Sequence, residues 1–266
     1  MSGLPRRIVC LTEETTETLY LLGEEARIVG ISGFTVRPPR ARREKPKVSA
    51  FTSARIDRIV ALEPDLVLGF SDLQADIAAA LIRHGVSVHV FNQRTVAGIL
   101  DMIGLLGAMI GATAKTATLI AGLQDGLSAI AGSAAGLPRR PGVYFEEWDA
   151  PLISGIGWVS ELIEIAGGRD CFADRSQEPA AKGRIIADPN EVVRRAPDII
   201  IGSWCGKRFR PEQVKRRPGW EAIPAVRDGE VHEIKSADIL QPGPAALTDG
   251  LRQLHGIVAR WAARAA

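Results

Sequence analysis

The chain has 266 residues, of which 46% are hydrophobic and 24% charged, and its formal net charge is +2. This composition excludes a disordered chain and leaves enough apolar material for two cores of ordinary domain size. The near-balanced charge with scattered arginines excludes a nucleic-acid partner, and residues 102–114 are apolar but too short to span a bilayer, so no transmembrane segment is expected.

In chain order, Arg7-Ile-Val-Cys-Leu11 reads as a strand, Thr16 to Gly23 as a helix and Ile28 to Ile31 as a second strand. Residues 57–63 then read as helical up to Pro64, which cannot continue a helix and pushes the residue before it toward extended geometry. Leu66-Val-Leu68 follows as a short unbroken aliphatic run, the mark of a strand buried on both faces of a parallel sheet. A helix over residues 73–84 and a strand over residues 86–91 complete the first part.

Residues 95–135 differ in kind. Ile99, Ile103, Leu106 and Ile110, then Leu119, Leu123, Leu127 and Ile130, recur at helical spacing. Gly111-Ala-Thr113 reads as a stop followed by a new start, giving a short helix and a longer one of roughly twenty residues, about 30 Å at the usual rise. Residues 132–142, rich in Gly, Ser and Pro, read as a linker. Beyond it come a strand at Val143-Tyr-Phe145, a helix over residues 159–166, a strand at Ile199-Ile-Ile201 and another over residues 230–234.

This alternation repeats. Asp57-Arg-Ile-Val-Ala-Leu-Glu-Pro64-Asp65-Leu-Val-Leu-Gly69 returns as Asn190-Glu-Val-Val-Arg-Arg-Ala-Pro197-Asp198-Ile-Ile-Ile-Gly202, an offset of 197 − 64 = 133 residues, half the chain. The same offset carries Leu11-Thr-Glu13-Glu14 onto Tyr144-Phe-Glu146-Glu147. The expected fold is α/β: two Rossmann-like lobes with mainly parallel sheets, residues 1–94 and 136–266, bridged by a rigid helical strut over residues 95–135.

Chemistry is sparse. The three cysteines (Cys10, Cys171, Cys205) and four histidines (His84, His89, His232, His255) form no metal-ligand spacing. A phosphate-binding loop, a nucleophile elbow and a zinc-protease helix are all missing, and Ser154-Gly-Ile-Gly157 is a lone G-x-G. No catalytic residue, metal site or cofactor is assigned, and binding is favoured over turnover.

Ligands of parallel α/β sheets bind outside the carboxyl ends of strands. The candidate ligand-binding residues are therefore Glu13, Glu14 and Thr15 after the first strand, Ser32 and Phe34 after the second, and Phe70 after the Leu66 strand. Their counterparts in the second half are Glu146, Glu147, Trp148 and Ser154, then Trp204, Cys205, Lys207 and Arg208, and finally Gln241. Trp148 and Trp204 read as exposed platforms for a flat ligand, while Trp158 fits either a ligand contact or a helix start. The two glutamate pairs, if they face one cleft, favour a cationic group or chelated metal, with Lys207 and Arg208 as counterweight. The bland alternative for Glu13-Glu14 is acidic charge at a helix N-terminus.

Taken together, Ile8-Val-Cys-Leu11, Thr18-Leu19 leading to Leu22-Gly23, Val29-Gly30-Ile31-Ser32, Pro38-Pro39 and the Asp57 segment resemble the cobalamin and ferric-siderophore substrate-binding proteins of ABC importers, most of all the cobalamin-binding branch. Ile153-Ser-Gly155, Ile165-Ala-Gly-Gly168 and the Asn190 segment agree. The resemblance implies one small-molecule ligand, a corrinoid or metal chelate, in an interlobe cleft, and docking on an ABC permease through an acidic residue on each lobe. The matching positions are Asp57 and, within one residue, Asn190 or Glu191. Family members are exported, whereas the N-terminus here lacks the apolar core of about 7–15 residues that a secretory signal needs. The sequence as it stands therefore reads as cytoplasmic, or as periplasmic if a leader was removed or translation starts upstream. Thr12-Glu13-Glu14-Thr15 also departs from the neutral loop of cobalamin binders. The second reading is a cytosolic chelatase-like enzyme, or a metal- or cation-binding protein, on the same scaffold.

Overall fold

A computed structural model describes residues 3–264. The chain forms two compact units. The first runs to Gln93 and includes Ala97–Gly122, and the second consists of Arg94–Val96 and the chain from Leu123 onward. The helical segment that the sequence sets apart as a strut is thus divided between the units.

The first unit holds strands β1 (Ile8–Cys10), β2 (Ile28–Ser32), β3 (Lys47–Ser49), β4 (Leu66–Phe70) and β5 (Val88–Phe91), in the spatial order β3-β2-β1-β4-β5. All four pairings are parallel, with Ile8, Val9 and Cys10 opposite Leu66, Val67 and Leu68. Val9, Leu11, Val48, Ile59, Val67, Ile77 and Leu81 form a core from strands and helices. Here the aliphatic runs do what their unbroken pattern requires, because a strand covered on both faces has no polar side to show.

In the second unit the strands are β6 (Gly142–Asp149), β7 (Leu152–Ser154), β8 (Arg169–Asp170), β9 (Ile185–Ile186), β10 (Ile199–Gly202) and β11 (Val231–Glu233), in the order β11-β10-β6-β7-β9, with β8 also paired to β6. The pairs β6·β10, β10·β11 and β6·β8 are parallel, whereas β7 runs antiparallel to both β6 and β9. The expected strand end at Phe145 is corrected: β6 continues through Glu146, Glu147 and Trp148 to Asp149 and forms a hairpin with β7. Those residues therefore lie in a strand rather than in a strand-end loop.

The repeated Pro-Asp has a structural job in each unit. Asp65 accepts the backbone N–H groups of Arg6 and Arg7 at 2.7 and 3.0 Å, and Asp198 accepts that of Gly142 at 2.8 Å. Each aspartate thus ties the start of its own strand to the start of the first strand of its unit. The residue before each proline is not extended, as the sequence suggests, but left-handed: φ is 46° at Glu63 and 44° at Ala196. That conformation closes the preceding helix, since the Ala196 N–H reaches the carbonyls of Val192 and Val193.

Two helices, Val96–Met109 and Thr113–Ala135, occupy the middle of the chain. Ile99, Ile103, Leu106 and Ile110 are buried at helical spacing. Gly111 has a φ of 72° between the helices, and a Cβ on Gly107 would collide with the Thr116 side chain. The sharp turn and the close helix approach therefore both need glycine. The second helix passes unbroken from one unit into the other.

Candidate functional site

In the first unit the carboxyl end of β1 leads at once into the helix Glu13–Leu21, with Thr12 extended as its N-cap residue. Glu13 and Glu14 are buried, with residue exposures of 3% and 1%. Glu13 accepts the Val36 N–H at 2.6 Å through Oε2, while its Oε1 is buried without a hydrogen-bond partner. Glu14 accepts the Thr12 hydroxyl at 2.7 Å, and Glu17, one turn on, pairs with Arg37 at 2.9 Å.

Among the described residues neither Glu13 nor Glu14 has a guanidinium or ammonium partner of its own. Burial pushes the Glu13 carboxyl up to about 8, against the Val36 hydrogen bond and with help from the charges of Glu17 and Glu14. The Glu14 carboxyl rises to about 7, chiefly by burial and against the Thr12 hydrogen bond. Around neutral pH Glu13 is largely a neutral acid, so this end of the unit carries less negative charge than two glutamates suggest. Thr15 is buried against the Thr12 carbonyl.

The other strand ends of this unit are mixed. Ser32 is buried and accepts the Phe34 N–H, while Phe34 itself is 56% exposed, as are Val36 at 40% and Leu73 at 57%. Phe70 belongs to β4 and is buried. Gln74, unremarked in sequence, is fully buried: its amide donates to the carbonyls of Phe51 and Leu11 and its Oε1 accepts the Phe70 N–H. It pins three strand-end segments together, a role for which a lone glutamine carries no sequence signal.

The second unit handles its glutamates differently. Glu146 has zero exposure and faces Arg217 through two hydrogen bonds, while also accepting from Tyr144 Oη at 3.2 Å and Trp204 Nε1 at 3.0 Å. Glu147 takes two hydrogen bonds from the buried Arg184, which also donates to the Ser154 carbonyl. Ser154 is buried and donates to the Arg184 carbonyl. Both carboxylates are consumed by arginine forks, so this pair does not supply free negative charge to a ligand.

The tryptophan expectation is corrected in the same way. Trp204 is 2% exposed, belongs to the core and packs edge-on against Phe209 with ring centroids 4.9 Å apart. Trp158 is 3% exposed inside the helix Gly157–Ile165 and donates to the Ile239 carbonyl. Trp148 is half-buried and donates to the Ala150 carbonyl. Above Trp148 and Trp204 sits the Lys207 ammonium, 5.1 and 4.8 Å from the ring centroids, held at 2.7 Å by Asp149. A cation thus already caps both rings.

At the carboxyl ends of β10 and β11 lies a groove of about 370 Å³ lined by Trp204, Lys207, Arg208, Glu233, Lys235 and Ser236 among others. Cys205 is exposed beside it and Gln241 is half-buried just past the helix Ser236–Ile239. With Lys207 taken up by Asp149, Arg208 and Lys235 face Glu233, a balance that suits an anionic or hydrogen-bond-accepting group. Among the described residues no group of three or more His, Cys, Asp or Glu side chains is arranged to hold a metal ion.

Of the docking positions, Asp57 is exposed in the first turn of the helix Ile56–Val60. Its repeat equivalent, Asn190, is exposed as well, but the adjacent Glu191 is bound at 2.6 Å by both Arg175 and Arg195.

Two α/β units joined through one long helix, each with polar and aromatic groups gathered at strand carboxyl ends, define a solute-binding class of fold. The chain belongs to the family described as periplasmic binding protein, whose profile matches residues 8–237. It is 26% identical over 248 residues to a cobalamin-binding protein of Halobacterium salinarum, covering 90% of this chain and 66% of that protein. It is 24% identical to a vitamin B12-binding protein of Vibrio parahaemolyticus, covering 91% and 85%. In fold it matches the vitamin B12 binding protein of Vibrio cholerae, with a TM-score of 0.77, 21% identity and coverage of 97% and 98%. A periplasmic heme binding protein of Pseudomonas aeruginosa matches with a TM-score of 0.82, 20% identity and coverage of 97% and 94%. Among the described residues no helix is long and apolar enough to cross a membrane.

Proposed function

We propose that this protein is the non-enzymatic substrate-binding component of an ABC importer, and that its ligand is a corrinoid or another large metal chelate with a polar, partly anionic periphery. The observation that carries the reading is the polarity of the strand-end loops. In the first unit they expose Phe34, Val36 and Leu73 beside a largely neutral Glu13, which suits the apolar body of a macrocycle. In the second unit they present Arg208 and Lys235 beside the Asp149-bound Lys207, which suits phosphate, carboxylate or amide groups. The relatives named above, binding proteins for cobalamin or heme, support the same ligand class. A bare cation is disfavoured because Glu146 and Glu147 are already bound by arginine.

Cyanocobalamin, hemin and a ferric hydroxamate, each followed by calorimetry and thermal shift alongside simple divalent cations, test this. One chelate should bind saturably and raise the melting temperature while the cations do not. Binding of the cations alone, or of none of these probes, would defeat the reading. The periplasm is the compartment the family supports, and fractionation of the native cell checks it. Docking on a permease rests on the free, exposed Asp57 more than on Glu191, so D57N should lower permease-dependent uptake without changing ligand affinity.

A further inference from the structure

The first unit also carries a groove of about 680 Å³. It runs along β3, the edge strand of the sheet, and is lined by Lys47, Ser49, Ser53, Arg55 and Arg58 with a few apolar residues. Three cations line it and no acid does. Arg55 and Arg58 are exposed, and neither guanidinium has a hydrogen-bond or ion-pair partner among the described residues. They stand three residues apart, Arg55 as the N-cap residue and Arg58 within the helix Ile56–Val60, and both line the one groove. The Ser49 hydroxyl is buried and has no hydrogen-bond partner among the described residues. Lys47 is held in place by its ammonium, which donates to the Arg42 carbonyl at 2.6 Å.

The geometry points to a second binding site in this groove, for a multivalent oxyanion of the phosphate class, held between the forks of Arg55 and Arg58 with the Ser49 hydroxyl as a further donor. Arginine is suited to this, because its planar fork offers paired N–H groups to two oxygens of one anion. The edge strand shapes the floor without donating: Val48 gives its carbonyl to the Arg55 N–H and Ala50 gives its N–H to the Ser53 carbonyl. The site lies wholly within one unit and is independent of the chelate reading, since none of its residues belongs to the strand-end sets described above. The phosphate comes either from a free small molecule or from a lipid headgroup.

Inorganic pyrophosphate titrated calorimetrically into the full chain, paired with co-sedimentation on phosphatidylcholine vesicles containing phosphatidylglycerol, provides the test. One saturable pyrophosphate site per chain is expected, weakened at least tenfold in the R55Q/R58Q double variant, several-fold in S49A, and unchanged in R43Q, an exposed arginine outside the groove. All three sets of side chains can be changed without opening a core, and circular dichroism verifies the fold of each variant. Sedimentation with the vesicles that is lost in R55Q/R58Q and competed by pyrophosphate assigns the anion to a headgroup, whereas pyrophosphate binding with no sedimentation assigns it to a free phosphate. No saturable pyrophosphate binding, or equal binding by wild type and R55Q/R58Q, overturns the site. Chelate binding measured on the same variants stays intact in either case, so the two readings fail separately.

Discussion

Glu13-Glu14 and Glu146-Glu147 occupy the same place in a repeat of the chain and both end up largely inside the protein, yet the two units neutralise them by different means. In the first unit the answer is a proton: Glu13 and Glu14 have no cationic partner of their own among the described residues, and burial drives their carboxyls up to about 8 and 7. The answer in the second is a pair of arginines, Arg217 on Glu146 and Arg184 on Glu147. The lesson is that a buried carboxyl must be discharged, and that the sequence of the carboxyl itself does not say how. The consequences differ too. A proton is exchanged with the solvent as pH changes, whereas a guanidinium stays charged and holds its partner in a fixed geometry.

The sharpest way to break this contrast is to remove the guanidinium. R217M strands Glu146, with zero exposure, as an unpaired buried charge and should cost about 3–5 kcal/mol by urea unfolding, of which E146Q added to it returns a large part. A cost below about 1 kcal/mol would show that the Arg217 fork is not what holds Glu146 in the core. W204A should cost a comparable ~3–5 kcal/mol, because it empties core space beside Phe209 and removes the indole donor to Glu146. A stable W204A protein with weakened ligand binding would restore the indole as an open platform.

The protonated pair gives the next effect. Both folded-state values lie above the ordinary carboxyl value of 4.5, so the native chain holds more protons than the unfolded chain between roughly pH 4.5 and 8. Stability therefore falls as pH rises through that window. E13Q/E14Q, which cannot ionise, should exceed wild type by about 1–3 kcal/mol at pH 8.5 and lose that advantage near pH 4. Unfolding curves at both values check it, and an advantage independent of pH would assign the gain to packing. The smallest effect belongs to Lys207, which is partly exposed: K207M should change stability by less than about 1 kcal/mol while shifting tryptophan fluorescence, since it uncovers Trp148 and Trp204.

The Pro-Asp echo was legible in sequence because its work is local in pattern. A proline ends a helix, an aliphatic run starts a buried strand, and an aspartate between them meets the backbone at the start of the first strand of its unit, so the repeat announces itself as residues and repeats as hydrogen bonds. The long helix Thr113–Ala135 was legible for the same reason, through the spacing of Leu119, Leu123, Leu127 and Ile130. Strand bounds were less so. The run from Val143 into Glu146 and Glu147 looks polar enough to be a loop, and only its pairing with β7 keeps it extended to Asp149.

The sequence by itself thus determined the α/β class and the central helices, which rest on hydrophobic period and on residues with fixed backbone preferences, whereas the repeat and the resemblance to the family rest on matched residues. Tertiary structure alone decided what the polar residues do. Arg217 is 71 positions from Glu146 and Arg184 is 37 from Glu147, and no spacing rule links a carboxylate to a guanidinium at such distances. Trp204 follows a strand, as an exposed platform would, but Phe209 and the buried Glu146 draw it inward. Burial sets the charge state of Glu13 and Glu14, and burial is a property of everything packed around a side chain rather than of its neighbours in the chain.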